Sequence, residues 1–145
     1  MQKNNLAIIL SGGTGKRFDT SKPKQFYELN KKTIIETSVE KFVSSNLFNY
    51  IIVVSHKNFF ESTKRLFNNK NIKVVLGGDN RQRSVFKGLS AAKPLNPKYV
   101  LIHDAVRPFF TVSLLEKVLK KLEGEISVIP SVNVYDSARY FKNKK

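Results

Sequence analysis

Cysteine is absent from this chain of 145 residues, and histidine occurs only twice. Without cysteine the protein can form neither a disulfide framework nor a thiolate metal site, and two histidines are too few for a histidine-rich one. No apolar run approaches the ~20 residues that a helix needs to span a bilayer, and the N-terminus lacks the pattern of a signal peptide. We therefore expect a cytoplasmic protein that carries out no redox chemistry.

Acidic residues are scarce as well, since 11 Asp and Glu face 26 Lys and Arg and leave a net charge of +15. Such an excess suits nucleic acid, an anionic membrane surface or phosphorylated small molecules. Most lysines stand singly, however, and basic residues do not interleave with aromatic ones as they do in RNA-recognition sheets. Most of these charges are therefore typical of general solubility in a protein rich in Lys and Asn, and we expect no nucleic-acid partner and no membrane partner.

Hydrophobic residues make up 41% of the chain and include 11 Phe, which is enough for the core of a single domain over residues 1–145. Short segments rich in Val and Ile predict five strands: Leu6–Leu10, Tyr50–Ser55, Ile72–Leu76, Tyr99–His103 and Ile126–Pro130. The stretches between them have helical periodicity, with one face formed by Val85, Leu89 and Ala92. This alternation predicts a doubly wound, mostly parallel α/β sheet with helices on both faces.

The first predicted strand runs directly into a glycine-rich loop, Ser11–Arg17. Glycines can turn successive backbone N–H groups toward one point, so this loop predicts a cradle for a triphosphate. A P-loop would need Ser or Thr where Arg17 stands, and a dinucleotide fingerprint would need glycine where Phe18 stands. A tight strand-to-helix turn without a ligand is the alternative.

Two further loops follow predicted strands, Gly77–Ser84 and His103–Phe109. Ligands of doubly wound sheets bind beyond the carboxyl ends of the strands, so we expect these loops to meet the glycine loop there. Asp104 could position Mg²⁺ or accept a ribose hydroxyl. The alternatives are a helix N-cap at Asp79, a salt bridge between Asp104 and Arg107, and a packed imidazole at His103.

Four motifs, taken in order, resemble the cytidylyltransferases that transfer CMP to polyol phosphates. They are LSGGTGKRF, Pro23-Lys24-Gln25-Phe26, LGGDNRQRSV and LIHDAVRPF. The resemblance covers two branches, one acting on 2-C-methyl-D-erythritol 4-phosphate in isoprenoid synthesis and one on ribitol 5-phosphate in wall and capsule polymer synthesis. Gly12-Gly13-Thr14 and Val106 look closer to the ribitol branch, and the acceptor stays open between the two.

The resemblance implies a Rossmann-like nucleotidyltransferase fold and a role for each matching residue. CTP would contact Ser11, Gly12, Gly13, Thr14, Gly15, Gly78, Asp79, Ser84 and Ala105. The catalytic cations would be Arg17 and Lys24, and Asp104 would hold the Mg²⁺ that accompanies CTP. The acceptor would lie near Asp104, Arg107 and Ser137.

Members of this family continue into a dimerising arm, a Thr-Pro-Gln segment and a late lysine, none of which matches a segment of these 145 residues. The resemblance therefore implies that residues 1–145 are a single nucleotide-binding domain without the family's C-terminal part, and that the full-length family member forms a homodimer. A CTP-binding module without turnover is the alternative function. A basic nucleic-acid-binding protein is a more remote one.

Overall fold

The computed structural model describes residues 4–13 and 22–133. In chain order its elements are β1 (Asn5–Ser11), β2 (Glu28–Leu29), β3 (Lys32–Thr33), α1 (Ile34–Ser44), β4 (Tyr50–Ser55), α2 (Phe60–Leu66), β5 (Ile72–Leu76), α3 (Arg81–Ala92), β6 (Tyr99–Asp104) and α4 (Val112–Leu122). Short 3₁₀ turns occupy Lys24–Phe26, Lys57–Phe59 and Lys93–Leu95. None of the helices within the described ranges is long and apolar enough to cross a bilayer.

Four strands form one parallel sheet in the order β5-β4-β1-β6. The chain passes from β1 outward to β4 and β5, then returns to place β6 on the other side of β1. Ile8 in the centre of β1 is in register with Ile52 of β4 and Ile102 of β6. The strand order thus reverses at β1, which confirms the doubly wound, mostly parallel sheet.

The two faces of the sheet carry separate apolar clusters, because successive strand residues point to opposite sides. Ala7 and Ile9 belong to the cluster that includes residues of α1 and α4. Leu6, Ile8 and Leu10 belong to the cluster that includes Ala92 of α3. Helices therefore cover both faces, as predicted.

The predicted strand at Ile126–Pro130 is wrong. This segment is irregular and Ile126 is fully exposed, at 102% of its reference area. Strand propensity reflects packing and pairing against neighbouring strands rather than an intrinsic backbone preference. Within the described residues β6 pairs only with β1, so the segment has no neighbour that would make it a strand.

A two-stranded antiparallel hairpin, β2 with β3, was not predicted. Asn30 and Lys31 form its turn with positive φ angles of 51° and 67°. This is the backbone of a type I′ turn, whose usual signal is Asn-Gly rather than Asn-Lys. The hairpin is followed directly by α1, which begins with a capping box between Thr33 and Glu36.

Helix α3 approaches the sheet through small residues, since its buried positions are Ser84, Gly88 and Ala92. The predicted face was Val85, Leu89 and Ala92, but Leu89 is 40% exposed. A Cβ at Gly88 would lie 2.8 Å from Ile8 Cγ2 and 3.1 Å from Val54 Cγ2. Glycine therefore sets the distance between α3 and the sheet.

We expect Gly88→Ala to lower the free energy of unfolding by about 1–2 kcal/mol. The added methyl group overpacks the contact with the sheet, and this destabilises the fold more than the higher helix propensity of Ala stabilises it. Urea unfolding measures the change. Ser90→Ala, at an exposed position of the same helix, is the control and should stay within about 0.5 kcal/mol of the parent. A Gly88→Ala variant at least as stable as the parent would contradict the close approach.

Candidate functional site

A cavity of about 480 Å³ lies beyond the carboxyl ends of β1, β5 and β6. The three predicted loops all contribute to it, and they do so around the point where the strand order reverses. Its lining consists of Leu10, Ser11, Gly12, Gly13, Gln25, His56, Lys57, Gly77, Gly78, Asp79, Asn80, Arg81, Ser84, Asp104 and Val106.

The glycine loop enters the cavity at the end of β1. Ser11 is 3% exposed, and its Oγ has no hydrogen-bond partner within the described part of the chain. Buried hydroxyls are nearly always satisfied, so this unpaired Oγ beside the cavity is an exception. Gly12 and Gly13 complete the described part of the loop.

Gln25 lies beneath the glycine loop and was not among the predicted site residues. It is 3% exposed, and its Nε2 donates to the carbonyls of Ser11 and Gly13, each at 3.0 Å. The neighbouring Phe26 is buried in the core. The sequence offered one signal for Gln25, its place beside Lys24 in the Pro23–Phe26 motif.

The second loop joins β5 to α3. A Cβ at Gly78 would lie 2.3 Å from Arg83 Cβ, so this position requires glycine. The Gly78 N–H donates to Ser84 Oγ at 3.1 Å, which ties the loop to the helix. Asn80, not Asp79, is the N-cap of α3, since its side chain accepts from the Arg83 N–H at 2.8 Å.

Two carboxylates at the site are already paired with arginines. Asp79 accepts from Arg83 at 2.6 Å. Asp104 accepts from Arg81 at 3.1 Å and lies 3.4 Å from Arg107 Nε. The salt bridge considered between Asp104 and Arg107 is therefore present, while the contact from α3 through Arg81 was not predicted.

His103 packs inside the third loop. Its ring lies edge-on to Phe42 at 5.3 Å and to Phe110 at 4.7 Å, and its Nε2 donates to the Arg107 carbonyl at 3.0 Å. Burial lowers the pKa of His103, although that hydrogen bond and the nearby Asp104 act in the opposite direction. The imidazole is therefore neutral at pH 7. Its packing against Phe42 and Phe110 supports the shape of the loop, which agrees with the alternative of a packed imidazole.

The backbone of the third loop is anchored from α1. The Ala105 N–H donates to the Leu10 carbonyl at 2.9 Å, and the Ala105 carbonyl accepts from Ser38 Oγ at 2.7 Å. Lys41 Nζ donates to the carbonyls of Pro108 and Phe110, each at 2.9 Å. Ala105 itself is buried, and both its backbone polar groups are already used.

The structure brings seven predicted site residues together at the cavity: Ser11, Gly12, Gly13, Gly78, Asp79, Ser84 and Asp104. Three others, Lys24, Ala105 and Arg107, do not line it. Thr14, Gly15, Arg17 and Ser137 lie outside the described residues. Eight other lining residues were not among the predicted site residues: Leu10, Gln25, His56, Lys57, Gly77, Asn80, Arg81 and Val106.

Residues 6–145 match the profile of a protein family, the one described as IspD, 2-C-methyl-D-erythritol 4-phosphate cytidylyltransferase. The chain belongs to this family. The match covers nearly the whole chain and confirms the resemblance carried by the four motifs. It also agrees with the fold, in which the motif loops meet at one edge of the sheet.

The chain is similar to curated relatives named for each of the two acceptors, 2-C-methyl-D-erythritol 4-phosphate and ribitol 5-phosphate. The 2-C-methyl-D-erythritol 4-phosphate cytidylyltransferase of Petrotoga mobilis is 42% identical over 120 residues, covering 79% of this chain and 52% of that protein. The ribitol-5-phosphate cytidylyltransferase of Streptococcus agalactiae is 34% identical over 140 residues, covering 92% and 59%.

The crystal structure of 4-diphosphocytidyl-2C-methyl-D-erythritol synthase from Anaerococcus prevotii has the same fold. It gives a TM-score of 0.67 at 28% identity, over 82% of this chain and 51% of that one. The chain spans 36% to 63% of the length of the first four curated relatives that it matches.

We expect Lys41→Met to lower the free energy of unfolding by about 1–3 kcal/mol, because two hydrogen bonds from a charged donor to the third loop are lost. Lys32→Met is the matched control. Lys32 pairs with Glu40 at 2.6 Å, but both side chains are about half exposed, so its loss should cost no more than about 1 kcal/mol. Equal losses in urea unfolding would show that Lys41 does not anchor the loop.

Proposed function

We propose that this protein transfers CMP from CTP to a polyol phosphate and releases pyrophosphate. The observation that carries the proposal is the meeting of three motif loops of the IspD family around one cavity at the switch point of the sheet. The cavity volume of about 480 Å³ is in the range of small-molecule sites. The names of relatives on both branches support a polyol phosphate as the acceptor class.

The nucleotide would bind through backbone groups for the most part. Ser11, Gly12, Gly78 and Ser84 all line the cavity, and these residues, with Gly13 and Asp79, are the proposed CTP contacts. The unsatisfied Ser11 Oγ is a hydrogen-bonding group that a nucleotide could use. Thr14, Gly15 and Ala105 remain proposed contacts on the family resemblance alone.

The chemistry requires charge neutralisation rather than a strong base. An ionised oxygen of the acceptor phosphate attacks the α-phosphorus of CTP, the new P–O bond forms, and the bond to pyrophosphate breaks. Arg17 and Lys24 are the proposed catalytic cations, because negative charge grows on the α-phosphate during this in-line displacement. Arg107 and Ser137 are the proposed contacts to the acceptor, together with Asp104.

Asp104 fits a magnesium ion that arrives with the nucleotide. The described residues contain no group of three His, Asp or Glu side chains that could hold a metal by themselves. Mg²⁺ commonly binds through one or two carboxylates and substrate phosphates, and Asp104 supplies one carboxylate at the cavity. When bound, the ion would neutralise phosphate charge.

Several expectations stay predictions. They are the cytoplasmic location, the single domain over residues 1–145, the homodimer of the complete family member, and the choice between methylerythritol phosphate and ribitol phosphate. CTP binding without turnover is the second candidate function, because the chain spans only part of its relatives. Pyrophosphate release with CTP, Mg²⁺ and each acceptor separates it from the enzyme.

We expect CTP with Mg²⁺ to raise the melting temperature more than ATP or GTP at equal concentration, because the pocket would accept cytosine and reject larger purines. At a hundredfold excess over its dissociation constant, CTP should add ~2.7 kcal/mol to the free energy of unfolding. Differential scanning fluorimetry measures the shift. Equal shifts with all three nucleotides would agree with a phosphate site but would contradict a pocket for cytosine.

We expect Lys24→Ala and Arg17→Ala each to lower turnover about 100-fold or more while weakening CTP binding much less, because the lost charge acts mainly on the transition state. Lys22→Ala, a removed cation in the same segment, is the control and should keep near-parental turnover. Pyrophosphate release and titration calorimetry give the two readouts. Parental turnover in Lys24→Ala would remove that residue from the catalytic set.

A further inference from the structure

The side-chain amide of Gln25 forms a crosslink under the glycine loop. A glutamine amide nitrogen has two N–H donors, and two loop carbonyls lie within hydrogen-bond distance of this one, those of Ser11 and Gly13 at 3.0 Å each. Gln25 is 3% exposed, so water cannot readily replace these bonds. The contact spans 14 residues of sequence to Ser11 and 12 to Gly13.

The two bonds restrain backbone at the point where β1 passes into the glycine loop. Glycine has the greatest conformational freedom of all residues. Among the residues that the structure describes, none lies within 4 Å of a Cβ built at Gly13, so their side chains do not confine this part of the loop. Within the described residues, the hydrogen bond from Gln25 to the Gly13 carbonyl is therefore a contact that holds the loop against the end of β1.

The direction of the carbonyls also determines the direction of neighbouring N–H groups. A peptide unit is planar and trans, so the carbonyl of Ser11 and the N–H of Gly12 point in opposite directions. By holding the Ser11 carbonyl, Gln25 turns the Gly12 N–H away from itself. Backbone N–H groups oriented in this way are what a phosphate cradle requires.

The same crosslink fixes the segment that carries Lys24. Lys24, Gln25 and Phe26 form one 3₁₀ turn, and Phe26 is buried with its ring 5.4 Å from that of Phe59. One end of the turn is thus tied to the core and its middle residue to the glycine loop. The Gln25 amide therefore links the turn that carries Lys24 to the glycine loop.

We propose that Gln25 is a positioning residue, which preorganises the glycine loop and Lys24 for a nucleoside triphosphate by binding the carbonyls of Ser11 and Gly13. The inference deepens the proposed function and rests on it for the identity of the ligand. Gln25 touches no reacting atom in this account. It acts through the Gly12 N–H and through Lys24.

Two variants remove the donors in different ways. Gln25→Met keeps the length of the side chain and has no donor. Gln25→Glu keeps the shape, and its carboxyl regains one donor when it is protonated, which burial against two carbonyls favours by raising its pKa. Gln82, exposed on α3 and outside the cavity lining, provides matched controls as Gln82→Met and Gln82→Glu.

We expect Gln25→Met to bind Mg²⁺ and CTP about tenfold more weakly than the parent in titration calorimetry, as the loss of two restraining hydrogen bonds implies. Both Gln82 variants should bind like the parent. Relative to the parent at each pH, the affinity of Gln25→Glu should recover as pH falls from 8 to 5.5, while that of Gln25→Met should not. A purely structural role would not produce this pH-dependent rescue.

A second readout needs no nucleotide and therefore separates the two proposals. In ¹⁵N relaxation of the free protein, the order parameters of Gly12 and Gly13 should fall from about 0.85 to below about 0.6 in Gln25→Met. If the parent does not bind CTP, the proposed function is wrong, and this measurement alone decides the role of Gln25. Unchanged order parameters, or parental CTP affinity in folded Gln25→Met, overturn the positioning role.

Discussion

The complete burial of β1 is the constraint on which the rest of this structure depends. All seven of its residues are buried, it pairs in parallel with a strand on each side, and each of its faces contributes to a different apolar cluster. Its carboxyl end is therefore held between β4 and β6. The loops that leave these strands start from fixed positions at one edge of the sheet, which is where the cavity forms.

The charges around the cavity follow from the same arrangement. Asp104 lies between Arg81 of α3 and Arg107 of its own loop, so residues from two motif loops meet at one carboxylate. Asp79 pairs with Arg83. Three arginines thus pair with two aspartates, and the excess positive charge of this group favours an anion at the cavity.

Sequence patterns predicted the parts of this fold that depend on local residue type. Four apolar runs became the parallel strands, and the motif loops came together. The contact face of α3 was predicted in part: Ala92 and Val85 pack against the core, but Ser84 and Gly88 were missed, because they carry no apolar signal and their burial comes from the sheet beneath them. Gln25 was missed for a related reason, since its partners are 12 and 14 residues away. Ile126–Pro130 failed in the opposite sense, as an apolar run without a strand to pair with.

The side chains beneath the cavity share one property, which is that they donate hydrogen bonds to loop carbonyls. The bonds run from Gln25 to Ser11 and Gly13, from Ser38 to Ala105, from Lys41 to Pro108 and Phe110, and from His103 to Arg107. Except at Arg107, which Pro108 follows, each bound carbonyl fixes the direction of the following N–H group, because the peptide unit is planar. Carbonyls held by the protein are also not directed at an incoming phosphate. Side chains that bind the loop carbonyls can therefore orient backbone N–H groups toward an anion. They do so without themselves touching the anion.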